Sequence, residues 1–183
     1  MMRTVLIAAL SAALAGAATP AAGQPLTTRA ADPADVTTLD GIIAAFYDIV
    51  SGPAGEKRDW ARDSTLYTRD VRFTIEAAAG TGAAGRWRTI DHGTYARESN
   101  AFLEGGFFER EIHRVTHEFA GMAHVFSTYE WTAPTETGPQ RGRGINSIAL
   151  VFDQGRWWIT FAQWASETPD RPIPAAYLPP GRR

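Results

Sequence analysis

Histidines and carboxylates recur along one stretch of the chain, residues 107–131. Two strand-like runs flank Ala120-Gly121 there, which predicts a β-hairpin. Because side chains alternate between the two faces of a strand, one face collects Glu111, His113, Val115, His117, Phe119, Met122, His124, Phe126, Thr128 and Glu130. Counting from the turn predicts the cross-strand pairs Phe119–Met122, His117–His124, His113–Thr128 and Glu111–Glu130.

Imidazoles titrate near neutral pH, so His113 and His117 are candidates for general acid or base catalysis. A shared metal ion is disfavoured, because residues four positions apart on a strand are about 13 Å apart. The alternative is that this face is a solvated surface or a dimer contact. The choice of face also stays open, since the opposite face carries Val125, Tyr129 and Trp131 and could equally pack against helices.

A second hairpin is predicted over residues 145–167, with its turn at Gln154-Gly155. This turn places Asn146 opposite Gln163, at the open end of an apolar face. Buried amides need hydrogen-bond partners, so the two would bond either to each other or to a bound molecule. The opposite face carries small residues flanked by Trp158 and Trp164, which makes it a candidate dimer surface.

Large aromatic side chains line most small-molecule pockets, and the chain contains six tryptophans. Trp60, Trp87 and Trp131 are candidate pocket walls, with plain core packing as the alternative. The sequence contains no HExxH, no GxSxG, no glycine-rich phosphate loop and no dinucleotide fingerprint. We therefore expect no metal and no cofactor.

The elements that must position these residues follow from hydrophobic spacing. A helix is predicted over residues 39–50, capped by Thr38 or Asp40, and another over residues 56–66. Strands are predicted over 71–76 and 86–90, a loop over 77–85, and a third helix capped by Asp91 and ending near Leu103. Residues 133–144 are predicted to form a loop. Helices followed by long antiparallel strands indicate an α+β fold.

The first 23 residues have the features of an export signal. Arg3 precedes an apolar run over residues 5–18, which is too short for a permanent membrane anchor, and small residues at 21–23 suit a cleavage site. The chain has no cysteine, so it can form neither a disulfide nor a lipid attachment, and we expect export to the bacterial periplasm. A net charge of −2 gives no strong attraction to nucleic acid or anionic lipid.

The predicted organisation is a signal peptide at 1–23, a flexible leader at 24–37, one domain at 38–174 and a proline-rich tail at 175–183. With 44% hydrophobic and 11% aromatic residues, the domain can bury a core without a disulfide or metal.

Two phrases, AHVFSTYEW at 123–131 and GINSIALVFDQGRWWI at 144–159, resemble the nuclear transport factor 2-like superfamily, and within it the SnoaL-like bacterial proteins. The resemblance covers about residues 39–174. It implies a cone-shaped α+β barrel, in which a curved, mainly antiparallel sheet wraps around three helices from the N-terminal half. The superfamily includes isomerases, dehydratases, cyclases, ligand binders and assembly modules, so the fold leaves the function open.

Ketosteroid isomerase belongs to this superfamily, and the likeness implies a catalytic Tyr47 on the first helix and a carboxylate base at Glu76 on the first strand. With His113 or His117, these residues would serve a cofactor-independent isomerase, dehydratase or cyclase. We favour the other hypothesis, an exported protein that binds a small apolar or aromatic molecule, because no catalytic set transfers complete. Its pocket residues would be Trp60, Trp131, Asn146 and Gln163. A homodimer is expected in either case.

Overall fold

The computed structural model describes residues 26–76 and 87–181, so the predicted signal peptide and the predicted loop at 77–85 lie outside the described residues. The described chain forms helices α1 (Pro33–Val36), α2 (Leu39–Val50), α3 (Trp60–Asp63) and α4 (His92–Leu103). Its strands are β1 (Tyr67–Glu76), β2 (Trp87–Ile90), β3 (Phe108–Phe119), β4 (Met122–Ala133), β5 (Gln140–Asp153) and β6 (Arg156–Ser166). Helix α1 falls within the range 24–37 that the sequence assigns to a leader. The element order confirms the α+β prediction.

The six strands form one curved sheet in the order β2-β1-β6-β5-β4-β3. Strands β1 and β6 run parallel, and every other neighbouring pair is antiparallel, as predicted for a mainly antiparallel sheet. Within the part of the chain that the structure describes, β2 and β3 are edge strands, so the sheet curves without closing into a barrel. Helices α2 and α4 pack on its inner face.

Both long helices begin at the predicted caps. The Thr38 hydroxyl accepts a hydrogen bond from the Gly41 amide at 2.9 Å, and the Asp91 carboxylate accepts one from the Thr94 amide at 2.8 Å. The predicted helix over residues 56–66 is wrong in length, because only α3 and one 3₁₀ turn at Ser64–Leu66 form. Arg58 is buried here and donates to the carbonyl oxygens of Val50 and Gly52, which keeps the segment before α3 out of a helix.

Both predicted hairpin turns are confirmed. Ala120 and Gly121 have φ angles of 49° and 78°, and Gln154 and Gly155 have φ angles of 53° and 78°. Positive φ at both central residues is the requirement of a tight two-residue turn whose twist matches that of the strands.

Each hairpin also contains a β-bulge. In β3, Glu111 lies opposite Tyr129 and His113 lies opposite Thr128, so Ile112 is an extra residue. In β6, Thr160 is extra, because Ile159 lies opposite Leu150 while Phe161 lies opposite Ala149. One extra residue reverses the alternation of side chains beyond it.

The bulges explain which predicted pairs are correct. Near the turn of the first hairpin, Phe119–Met122, His117–His124 and His113–Thr128 are confirmed. The predicted pair Glu111–Glu130 is wrong, since Glu111 lies opposite Tyr129. The predicted pair Asn146–Gln163 is also wrong, because Asn146 lies opposite Trp164 and Gln163 lies opposite Ser147.

Strand β5 begins at Gln140, inside the segment predicted as a loop. Gly142 and Gly144 lie opposite Trp131 and Tyr129 on the neighbouring strand. A Cβ atom at either glycine would collide with the aromatic side chain opposite, so the absence of side chains lets both rings lie across β5. The glycines therefore belong to the strand.

The main core lies between α2 and the inner face of the sheet, and its fully buried members include Ile42, Ile43, Tyr67, Phe73, Ile148 and Ile159. On the outer face, the 3₁₀ turn Ala175–Tyr177 covers β4, where Tyr177 stacks on Phe126 with ring centroids 5.4 Å apart. Among the described residues, no helix is long and apolar enough to cross a membrane.

Candidate functional site

A cavity of about 250 Å³ lies between α2, α4 and the inner face of β3–β6. Most of its wall is aromatic or aliphatic: Phe46, Val50, Tyr95, Phe102, Leu103, Phe107, Tyr129, Trp131 and Trp164. Its polar lining residues are Ser99, Glu109, Asn146 and Ser166. An apolar cleft with a few polar groups is the usual form of a small-molecule site.

The aromatic walls hold one another in place. Phe107 stacks on Trp131 with ring centroids 5.9 Å apart, and Tyr95 meets Trp164 edge to face at the same distance. Phe102 is 63% exposed and packs against Phe107, so it forms part of the rim. A flat ring could stack between these walls.

Glu109 supplies the carboxyl group of the cavity. The bulge at Ile112 places Glu109 opposite Trp131, on the inner face of the sheet. No side chain or amide of residues 26–76 and 87–181 forms a hydrogen bond or ion pair with this carboxyl group. Burial without a compensating partner raises the pKa of Glu109 from 4.5 to about 8.

The pKa values of both cavity tyrosines are raised, because burial outweighs the opposing hydrogen bonds with Ser166 and Ser99. Burial, and after it the negative charge of Glu109, raises the pKa of Tyr129 well above its ordinary value. The pKa of Tyr95 is likewise raised, by burial first and by carboxylates second. The two phenols therefore stay protonated and can act only as neutral hydrogen-bonding groups.

A hydrogen-bond chain starts at the second polar residue, Asn146. Its amide Nδ2 donates to the Tyr47 hydroxyl at 3.0 Å, and the Tyr47 and Ser127 hydroxyls are 2.7 Å apart. Ser127 in turn donates to the Glu111 carboxylate, which accepts two hydrogen bonds from Arg114 at 2.8 and 2.6 Å. The chain thus links the cavity wall to a charged pair.

A larger polar groove of about 520 Å³ lies on the far side of Glu109, where Tyr47, Glu111 and Arg114 contribute to its lining. Glu109 lines both the groove and the aromatic cavity. Glu109 therefore lies between the aromatic cavity and a groove with charged lining residues.

The catalytic residues predicted from the sequence do not gather at the cavity. Tyr47 lies in the hydrogen-bond chain behind Asn146, and burial raises its pKa above the ordinary value. Glu76 ends β1 and binds the guanidinium of Arg171 through both carboxylate oxygens, at 3.1 and 3.2 Å. His113 and His117 lie on the outer face, opposite Thr128 and His124.

The predicted ligand-binding residues divide into two groups. Trp131 and Asn146 line the cavity. Trp60 lies behind the wall, where its indole donates to Asn100 at 3.1 Å and meets Tyr95 edge to face. Gln163 lies on the outer face and donates to Ser147 at 3.4 Å.

Sequence reasoning missed Glu109 and Trp164, the residues that the two bulges turn inward. It also missed a buried pair behind Tyr95, in which the Asp63 carboxylate lies 2.6 Å from His92 Nε2 and accepts a hydrogen bond from Tyr67 at 3.2 Å. Desolvation raises the pKa of Asp63, and the His92 contact opposes that rise. Neither Asp63 nor His92 lines the cavity. The pair instead joins the end of α3 to the start of α4.

The polar groups that line the cavity do not form a metal site. They comprise one carboxyl group, one amide and hydroxyl groups, whereas metal sites need several carboxylate, imidazole or thiolate ligands. Among the residues that the structure describes, no group of three or more His, Asp, Glu or Cys side chains could hold a metal ion.

No protein-family model and no curated protein matches the sequence. Solved structures do match the fold. A protein of unknown function from Mycobacterium tuberculosis gives a TM-score of 0.53 at 13% identity, over 75% of each chain. A protein from Xanthomonas campestris, provisionally assigned as a calcium/calmodulin-dependent protein kinase II association domain, gives 0.51 at 16% identity, over 79% of this chain and 97% of that one.

A nuclear transport factor 2-like superfamily protein from Salmonella enterica gives a TM-score of 0.50 at 10% identity, over 75% of this chain and 87% of that one. These likenesses concern the fold alone, because the identities are low and the matched proteins differ in their assigned roles.

Proposed function

We propose that this chain, which has the nuclear transport factor 2-like fold, binds a small and largely aromatic molecule in the cavity beside Glu109. The observation that carries the proposal is the unpartnered Glu109 carboxyl group between aromatic walls. Glu109 is partly buried, so a bound molecule that hydrogen-bonds to its carboxyl group would replace the water that reaches it from the cavity. The cavity volume suits a molecule of one or two rings.

The binding proposal is tested by filling the cavity. Ser99 lines the cavity from α4, so Ser99→Leu places extra carbon atoms inside it, whereas Ala101→Leu adds them at an exposed position of the same helix. Binding of para-cresol and acetophenone is followed by ligand-observed NMR. We expect wild type and Ala101→Leu to bind at least one probe and Ser99→Leu to lose most of that binding. Equal binding by all three proteins would contradict the proposal.

Proton transfer is a second candidate function, and the raised pKa of Glu109 favours it. A carboxyl group with a pKa of about 8 exchanges protons readily near neutral pH, which suits a general acid or base. The adjoining polar groove offers the carboxyl group a route for proton exchange with solvent. A cofactor-independent isomerase, dehydratase or cyclase would need such a group, and Glu109 fills the role that the sequence assigned to Glu76.

Loss of deuterium from methyl-deuterated acetophenone in ordinary water reports proton abstraction without knowledge of the natural substrate. We expect wild type to accelerate this loss and Glu109→Gln to remove the acceleration. Glu118→Gln is the matched control, because Glu118 lies on the same strand and is exposed. Equal rates in wild type and Glu109→Gln would contradict a catalytic Glu109 and leave the binding function standing.

Export is also part of the proposal, and it is supported by the sequence of residues 1–23 alone. Intact-mass measurement of protein recovered from a bacterial periplasm should give a chain that begins at Gln24. Native mass spectrometry of the same sample would show whether a small molecule remains bound. A mass that includes Met1 would contradict export through this signal.

A further inference from the structure

The hydrogen-bond chain behind the cavity has a fixed direction. Arg114 faces both oxygens of Glu111, so this ion-paired carboxylate can only accept hydrogen bonds. Ser127 must therefore give its hydroxyl hydrogen to Glu111. A hydroxyl has one hydrogen, so Ser127 can only accept from Tyr47, and Tyr47 can then only accept from Asn146.

This direction determines which atom of the Asn146 amide is available to a ligand. The nitrogen Nδ2 is held against Tyr47 at 3.0 Å, and Asn146 lines the cavity while being 3% exposed. Among the described residues, no donor reaches its oxygen Oδ1. Tyr47 takes one of the two amide hydrogens, and Oδ1 is therefore the free acceptor that the amide offers to a molecule in the cavity.

We propose that the Tyr47–Ser127–Glu111 chain sets the Asn146 carboxamide as a hydrogen-bond acceptor, so that the cavity selects neutral aromatic molecules carrying a hydroxyl or N–H donor. This inference rests on the proposed binding function and adds the class of ligand. Tyr47, Ser127 and Glu111 are positioning residues here, since they act through Asn146 and none of them lines the aromatic cavity. A phenol is the simplest member of the class.

Two probes of nearly equal size isolate the hydroxyl group. The aromatic alcohol para-cresol carries a donor where para-xylene carries a methyl group. We expect wild type to bind para-cresol about tenfold more tightly than para-xylene, because a buried acceptor rejects an analogue that leaves it unpaired. Acetophenone, which can only accept hydrogen bonds, should bind no better than para-xylene through this atom.

The variant Ser127→Ala tests the origin of this selectivity. Without Ser127, the Tyr47 hydroxyl loses its acceptor and can donate to Asn146 Oδ1, which turns Nδ2 toward the cavity. We expect the preference for para-cresol over para-xylene to fall to about onefold and the preference for acetophenone to rise several-fold. A purely structural loss would weaken all three probes by one common factor.

Ser147→Ala is the matched control. Ser147 is the next residue after Asn146 on β5 and lies on the outer face, where it contacts His124. It should keep the wild-type selectivity. An unchanged ratio of para-cresol to para-xylene affinity in Ser127→Ala would overturn the inference, while binding itself would still support the proposed function.

An NMR experiment without ligand distinguishes failure of this inference from failure of the proposed binding function. In wild type, the Asn146 side-chain amide protons should show nuclear Overhauser effects to the Tyr47 ring, and Ser127→Ala should lose them and gain effects to Trp164 across the ladder. If no probe binds, the proposed function fails, and the amide orientation is still decided by this spectrum. Amide protons directed at the cavity in wild type would overturn the inference.

Discussion

Glu109 lies directly opposite Trp131 in the β3–β4 ladder, and both residues line the cavity. Burial raises its pKa to about 8, so the native state holds this proton more tightly than the unfolded chain does. The stabilising contribution is therefore complete below about pH 4.5 and is lost as the pH rises toward about 8.

The first prediction concerns this pH window. Each pKa unit corresponds to about 1.4 kcal/mol, and the partial solvent exposure of Glu109 lowers the total. We therefore expect wild type to lose about 2–4 kcal/mol relative to Glu109→Gln between about pH 5 and 8. Urea unfolding at several pH values measures the difference. Glu118→Gln should follow the wild-type curve. Parallel curves for wild type and Glu109→Gln would show that Glu109 is not buried as a carboxyl group.

The second prediction concerns the glycine beneath Tyr129. A Cβ atom at Gly144 would collide with the Tyr129 hydroxyl and with the carbonyl oxygen of Ala165. Since the carbonyl belongs to the backbone, Gly144→Ala should cost about 1–3 kcal/mol and displace Tyr129 into the cavity, which weakens para-cresol binding. Gly105→Ala has no atom within 4 Å of its new Cβ and is the control. Unfolding in urea and NMR titration measure the two effects, and an unchanged affinity would contradict this account of the cavity wall.

The third prediction concerns the buried guanidinium that joins the ends of α2 and α4. Arg58 donates to Val50 and Gly52 at 2.9 Å and to Leu103 at 3.4 Å, all at backbone carbonyl oxygens. Arg58→Met would remove the side-chain donor to Val50, while the Gly52 and Leu103 carbonyl oxygens would still accept from the Phe107 and Gly106 amides. We expect a loss of about 1–3 kcal/mol in urea unfolding. Arg69→Met, at an exposed position, should change stability by less than about 0.5 kcal/mol. A comparably small effect at Arg58 would mean that water replaces its hydrogen bonds.

Local interactions made much of the fold predictable. The caps at Thr38 and Asp91, and the turns at Ala120-Gly121 and Gln154-Gly155, depend on residues within three positions of one another. The pairs next to each turn follow from counting outward, which is why His117–His124 is correct.

The candidate site was less predictable, because two bulges control it. No glycine or proline marks the bulges at Ile112 and Thr160, and strand-like sequence continues on both sides of each. A bulge bends its strand, and its position depends on the curvature of the whole sheet. The residues around it therefore do not predict where it falls. Beyond the bulges the faces exchange, so Glu109 and Trp164 turn inward while Gln163 turns outward. Only Trp131 and Asn146 of the predicted ligand-binding residues line the cavity, and both lie on strands without an extra residue.

The last prediction concerns the outer face of the sheet, where the sequence suggested a dimer contact. The tail covers part of this face: Tyr177 stacks on Phe126, and its carbonyl oxygen accepts a hydrogen bond from the Thr128 hydroxyl. A second copy that binds the same face must displace the tail. Tyr177→Ala removes the ring and should therefore raise the self-association constant by up to about tenfold, the equivalent of one aromatic contact. Sedimentation equilibrium measures the constant. Tyr177→Phe keeps the ring and the backbone hydrogen bond, so it should associate as wild type does. If Tyr177→Ala and wild type associate equally, the tail and a second copy do not compete for this face.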